Sequence, residues 1–329
     1  MVAGALALLV SFAVCAGLIR LGPKLGFVDA PDGFLKPHET LAVPLGGVGV
    51  FIAVHWGMFA AGTFDTGLFF ATLIVFVLGL VDDRIGLSPL VRLGFEIAAG
   101  VVLATGAATP SLPGGVRSIA LGVVLVVVAV NAVNLFDGLD GLAGGSALIS
   151  ALGFAALGVS RGLDGGFGVV LAAAIAGFLV WNWHPAKLFL GDNGAYVLGV
   201  FLAYGALITA PRSAELEIII GAGLLGVFAV DLIVTLIRRR LAGSELFGGD
   251  RSHVYDQLVD RGSSVPDVAL IGAVAQFVIV GYVIVLDRLT APVSTLFAMV
   301  ALLAVIVVAL DRRGFIRAEA SDGGGSPTL

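Results

Sequence analysis

Two adjacent carboxylates, Asp82 and Asp83, close an apolar stretch in the run VDDRIGLSP. Adjacent carboxylates at the border of an apolar segment are costly unless a cation or hydrogen-bond donors hold them. The plainer reading is a solvated helix terminus, with Ser88 capping the next helix ahead of Pro89. Further along, NAVNLFDGLDGLAGG sets Asn131 and Asn134 three residues apart, hence on one helical face, followed by Asp137 and Asp140 among glycines. Such a loop offers oxygen ligands to a hard cation and room for phosphate at backbone N–H groups. Two simple Asp-Gly turns are the alternative. In KLFLGDNGAYVLG, Asp192 follows Gly191 at the start of another apolar run, either as a ligand or as a helix cap. The stretch RRRLAGSELFGGDRSHVYDQLVDRG adds Arg251, whose planar fork suits phosphate oxygens, and His253, a donor to phosphate or nucleobase. Asp and Asn oxygens for a divalent metal, beside Arg, Lys and His for anions, suit a metal-bound diphosphate better than a metal alone.

These groups need elements to carry them. Of 329 residues, 59% are hydrophobic and 12% charged, with net charge −5 and mean hydropathy +1.09. A soluble domain carries about 25% charged residues, so a water-facing surface is excluded. Apolar segments fall at 2–20, 45–63, 67–81, 89–106, 117–135, 144–160, 166–183, 194–210, 217–237, 267–286 and 291–310. Most approach the thickness of a bilayer core. The expected fold is an all-α polytopic membrane bundle of ten or eleven spans, the short run 67–81 leaving the count open. Residues 1–315 form one transmembrane domain, and 316–329 a polar, Gly-rich tail expected to be disordered. Arg20 follows the first apolar run rather than preceding it, so residues 2–20 read as a retained span. Cys15, inside that run, reads as a buried, inert thiol.

Charge placement orients the bundle. With eleven spans, one side receives the loops 21–44, 82–88, 136–143, 184–193 and 238–266 plus the C-terminus. Only Arg117, Arg161, Arg212 and Arg288 fall on the other side, leaving fourteen of the 18 Lys and Arg on the first. The positive-inside rule makes that face cytoplasmic and puts the N-terminus outside. The same face receives Asp82, Asp83, Asp137, Asp140, Asp192 and Asp250 with His38, His184 and His253.

The ordered motifs DAPDGFLKPHETLAVPLGGVGVF, VDDRIGLSPLVRL, NAVNLFDGLDGLAGG, FLGDNGAYVLG and DRSHVYDQL resemble the polyprenyl-phosphate N-acetylhexosamine-1-phosphate transferases, a family of bacterial plasma-membrane enzymes. The resemblance implies a reaction dependent on Mg²⁺, or Mn²⁺ in its place. A polyprenyl-phosphate attacks the β-phosphate of a UDP-sugar and releases UMP. It implies catalytic roles for Asp82 and Asp83, metal binding by Asp192, Asn134 and Asp83, and nucleotide or diphosphate binding by Asn131, Asp137, Asp140, Arg251 and His253. Lys36, His38, Lys187 and Tyr255 are accessory candidates, Tyr255 for stacking on a base or sugar. The implied partners are the UDP-sugar, the lipid phosphate and the membrane, with a homodimer compatible and no nucleic acid. A lipid phosphate is already mostly ionised at neutral pH, its second pKa being about 6, so a strong general base is not required. The sequence departs from the family where His-x-His-His is usual: here His253 is followed by Val254, Tyr255 and Asp256. That departure argues against the muramoyl-pentapeptide enzymes and leaves the sugar open.

The competing class is a secondary transporter, whose carboxylates lie near the bilayer midplane. Here the mid-span candidates are Glu96 and Asp231. Asp231 is expected to reach the site or to pair with a neighbour. A membrane scaffold would not need so many paired carboxylates.

Overall fold

The computed structural model describes residues 2–28, 42–106, 115–211, 215–244 and 252–316. Among them, each expected apolar segment is helical, in the order α1 (Val2–Leu21), α2 (Gly46–Ala60), α3 (Thr66–Ile85), α4 (Pro89–Gly106), α5 (Gly115–Phe136), α6 (Leu142–Ser160), α7 (Gly166–Asn182), α8 (Gly191–Ile208), α9 (Glu215–Ala222), α10 (Gly226–Ala242), α11 (Val254–Asp260), α12 (Val265–Leu289) and α13 (Pro292–Arg312). Among the described residues, seven helical stretches are long and apolar enough to cross a membrane. The chain is a polytopic helical membrane protein. Helices α2 and α7 are apolar but shorter, at 15 and 17 residues.

Helix α8 is the hub. It is buried continuously from Asn193 to Leu207, enclosed chiefly by α2, α3 and α5. Small residues permit this close approach. A Cβ on Gly47 or on Gly79 would run into the backbone around Asn193 and Gly194, and one on Gly199 into the backbone of Val130. These contacts draw the polar ends of α2, α3 and α8 together.

Two features were not legible in the sequence. The apolar run 217–237 reads as one span, but it is broken by a 3-10 turn, Gly223–Leu225, between α9 and α10. Gln276 of α12, fully buried, compensates the break. Its Oε1 accepts from Val227 N–H at 2.9 Å, and its Nε2 donates to the Leu224 carbonyl at 2.5 Å and to Ser150 Oγ at 2.8 Å. Backbone groups freed inside a membrane bundle require such partners. The second feature is α11, a short helix within the expected loop 238–266. At the opposite end of the bundle, Arg161 grips Asp287 bidentately at 2.5 and 3.0 Å and donates to the Thr209 carbonyl at 2.8 Å, tying α6, α8 and α12 together.

Candidate active site

The end of α3 meets the start of α8. Asp83 Oδ1 accepts the backbone N–H of Asp192 at 2.9 Å. Its Oδ2 accepts from the Asn193 backbone N–H at 3.3 Å and the Asn193 amide at 2.8 Å. Asp83 therefore caps, from another helix, the donors that a helix N-terminus leaves unsatisfied. The Asn193 amide also donates to the Pro44 carbonyl at 2.9 Å, which fastens the approach to α2. Asp192, in the first turn of α8, is thereby held beside Asp83.

Asp82 faces another way. Its Oδ1 accepts from Leu87 N–H at 2.5 Å, and its Oδ2 from the Tyr196 hydroxyl at 2.5 Å and from Arg92 at 3.4 Å. Tyr196 and Arg92 were not singled out in the sequence. Helical spacing held the signal, because Tyr196 lies four residues after Asp192, and Glu96 four after Arg92.

The α5–α6 loop divides its expected ligands. Asn131 donates to Glu96 at 2.6 Å and to the Val127 carbonyl at 2.9 Å, so its amide is committed to the α4–α5 contact rather than to an open nucleotide site. Asp140 Oδ2 bonds His184 Nδ1 at 2.9 Å and accepts Ala186 N–H at 3.0 Å, which anchors the α7–α8 loop with its cis His184–Pro185 peptide. Asn182, also unforeseen, braces the same loop by accepting from Gly141 N–H and donating to the Leu188 carbonyl. Asn134 and Asp137 remain half-buried at the end of α5, where the Asn134 carbonyl accepts Asp137 N–H at 3.3 Å.

Helix α11 carries the last motif onto this loop. His253 Nδ1 bonds Asp231 at 2.8 Å and lies 3.1 Å from Thr235 Oγ1, which meets the expectation that Asp231 finds a neighbour. The Tyr255 ring stacks on His253, with centroids 5.1 Å apart and an interplanar angle of 10°, and its hydroxyl donates to the Leu135 carbonyl at 2.9 Å. Tyr255 is buried, and its ring and hydroxyl pack as a wedge under the Asn134–Asp137 turn. Lys187 is exposed, with Nζ 6.0 Å above the Trp181 ring, at the rim of an apolar cavity of about 280 Å³. Lys36, His38 and Arg251 lie outside the described residues.

The carboxylates share one field. Burial, then Asp192, Asp83 and Asp140, push the Asp137 carboxyl up to about 8. A divalent cation would relieve that repulsion. Among the described residues no three Asp, Glu, His or Cys side chains group closely enough to hold a metal by themselves. The donor set fits Mg²⁺ in its usual mode, one or two carboxylates with water and substrate phosphates completing the shell.

Residues 66–210 match the glycosyl transferase family 4 profile. The chain is 30% identical over 262 residues to a probable undecaprenyl-phosphate N-acetylglucosaminyl 1-phosphate transferase of Bacillus subtilis, covering 74% of this chain and 73% of that one. It is 31% identical over 314 residues to a decaprenyl-phosphate N-acetylglucosaminephosphotransferase of Mycobacterium tuberculosis, covering 82% and 78%. The chain belongs to glycosyl transferase family 4. A third relative, an undecaprenyl-phosphate alpha-N-acetylglucosaminyl 1-phosphate transferase of Thermotoga maritima, is 29% identical over 75% of this chain and 78% of its own length. The family match spans Asp82 to Asp192 and ends before His253. Transport finds no support: the relatives are named as transferases, and the carboxylates gather at helix ends.

Proposed function

We propose that this family 4 protein transfers a sugar-1-phosphate, an N-acetylhexosamine-1-phosphate, from a UDP-sugar to an undecaprenyl or decaprenyl phosphate. A phosphate oxygen of the lipid forms a bond to the β-phosphorus of the donor. The bond from that phosphorus to the bridging oxygen breaks, and UMP leaves with the oxygen and its electron pair. The reading rests on one observation above others: Asp83, at the end of α3, accepts the backbone N–H of Asp192, at the start of α8, at 2.9 Å, which joins two carboxylate motifs 109 residues apart.

Mg²⁺, held by Asp192, Asp83 and Asn134 with Asp137 adjacent, would neutralise charge on the donor diphosphate. Bringing one phosphate anion to another makes charge neutralisation the main requirement. The chain's own residues position the groups: Asp83 fixes the start of α8, and the His253–Tyr255 stack supports the Asn134–Asp137 turn. No proton needs to be taken from a lipid phosphate that is already ionised, and Asp82 already accepts three hydrogen bonds.

The distribution of Lys and Arg supports placing this face in the cytoplasm of a bacterial plasma membrane, with the N-terminus outside and up to eleven segments crossing. The direct test is UMP release by the purified protein, supplied with Mg²⁺, undecaprenyl phosphate and a panel of UDP-sugars. Release with at least one UDP-N-acetylhexosamine is expected; none with any of them overturns the reading.

A further inference from the structure

The site described so far is rich in carboxylates, yet its proposed substrates are anions, so it needs a fixed cation of its own. Arg92, in the first turn of α4, is placed for that task. Its Nη1 reaches both Asp82 Oδ2 and the Tyr196 hydroxyl at 3.4 Å. Its side chain is 27% exposed against 4% for Asp82, so the guanidinium stands at the mouth of the network while its support is buried. Its charge couples to Asp192 as well as to Asp82. Nη2 and Nε make no hydrogen bond among the described residues, which leaves one edge of the planar fork for a bidentate oxyanion.

We propose that Arg92 binds a phosphoryl oxygen of the donor in the transfer site, and that Tyr196, acting through Asp82, is the positioning residue that holds its guanidinium there. The inference rests on the transferase reading above. The Tyr196 hydroxyl donates to Asp82 at 2.5 Å, and Leu87 N–H fixes the other oxygen at the same distance. The carboxylate is thus aimed at Arg92 from a rigid seat at the junction of α3, α4 and α8. Asp82 and Asp83 divide their labour: one orients a cation, the other caps the helix that carries Asp192.

The test uses the full-length protein in nanodiscs, with UDP-N-acetylglucosamine (or whichever UDP-sugar the wild type uses) and undecaprenyl phosphate. Arg92→Lys keeps the charge but loses the fork, and Tyr196→Phe keeps the ring but loses the hydroxyl. Each is expected to raise the donor KM about tenfold or more while the KM for the lipid moves little, as loss of one hydrogen bond to a charged group implies. The double variant should be no worse than the poorer single one, because both act through one guanidinium. Arg92→Ala should be partly rescued by added guanidinium, and the rescue should weaken in the Arg92→Ala, Tyr196→Phe background. Additive losses, an unchanged donor KM, or no rescue at any guanidinium concentration that leaves the wild type folded would overturn the proposal. An inactive wild type would instead refute the transferase reading, which keeps the two failures apart.

Discussion

Asp83 and Asn193, 110 residues apart, make two hydrogen bonds through one carboxylate oxygen, at 3.3 Å to the backbone N–H and 2.8 Å to the side-chain amide. The start of α8 is therefore set by a residue of α3. Carboxylates that cap a helix also favour its positive end, since the peptide dipoles add there.

This predicts different outcomes for the two aspartates that meet at that helix start. Asp83→Asn should abolish UMP release and also destabilise the protein by about 1 kcal/mol, the typical worth of a cap. Asp192→Asn should abolish release with little change in the thermal midpoint. Thermal unfolding in detergent, measured beside UMP release, separates them. Equal midpoints for Asp83→Asn and wild type would remove the capping role.

Asp137 predicts a pH dependence. Its folded value, pushed up to about 8, lies above the ordinary carboxylate value of 3.8, so the folded chain binds this proton more tightly than the unfolded one. The stability it contributes is full below 3.8 and is lost as pH rises through about 8. A bound cation competes with the same proton. The Mg²⁺ concentration giving half-maximal activity should therefore fall as pH rises from 6 to 9, and Asp137→Asn should be more heat-stable than wild type at pH 9 without metal. A Mg²⁺ requirement independent of pH in this window would count against that account.

Tyr255→Phe should lower turnover, because its hydroxyl bond to the Leu135 carbonyl supports the turn that carries Asp137. One neutral hydrogen bond is worth about 1 kcal/mol, so a several-fold loss is expected. Gly138→Ala tests the same contact from the other side, since a Cβ there would collide with the Tyr255 ring and hydroxyl. If Tyr255 instead stacked on a ligand, Tyr255→Phe would keep full activity, and steady-state kinetics distinguish the two.

Gln276→Leu should destabilise the bundle without changing the donor KM. It strands Val227 N–H and the Leu224 carbonyl at the α9–α10 break, and a buried unsatisfied polar group costs about 1–3 kcal/mol. A thermal midpoint equal to wild type would show that the break is satisfied in another way.

Much of this was present in the chain before it folded. The apolar segments, spaced to bilayer length, determine a membrane helical bundle, because each must satisfy its own backbone in lipid. Asp82, Asp83, Asp137, Asp140 and Asp192 stand at segment ends, which determines where the polar chemistry gathers. What each carboxylate does was decided only by tertiary structure. Asp140 looks like a ligand in sequence and proves to be the anchor of the loop at His184. Asn131 turns to Glu96, and Tyr255 reaches Leu135 across 120 residues. The break at Gly223–Leu225 became tolerable because Gln276 arrives from α12. Hydrophobic periodicity is a local property that sequence displays directly. Hydrogen-bond partners at separations of 35 to 120 residues depend on which helices pack together and in what rotation, and no local spacing encodes that.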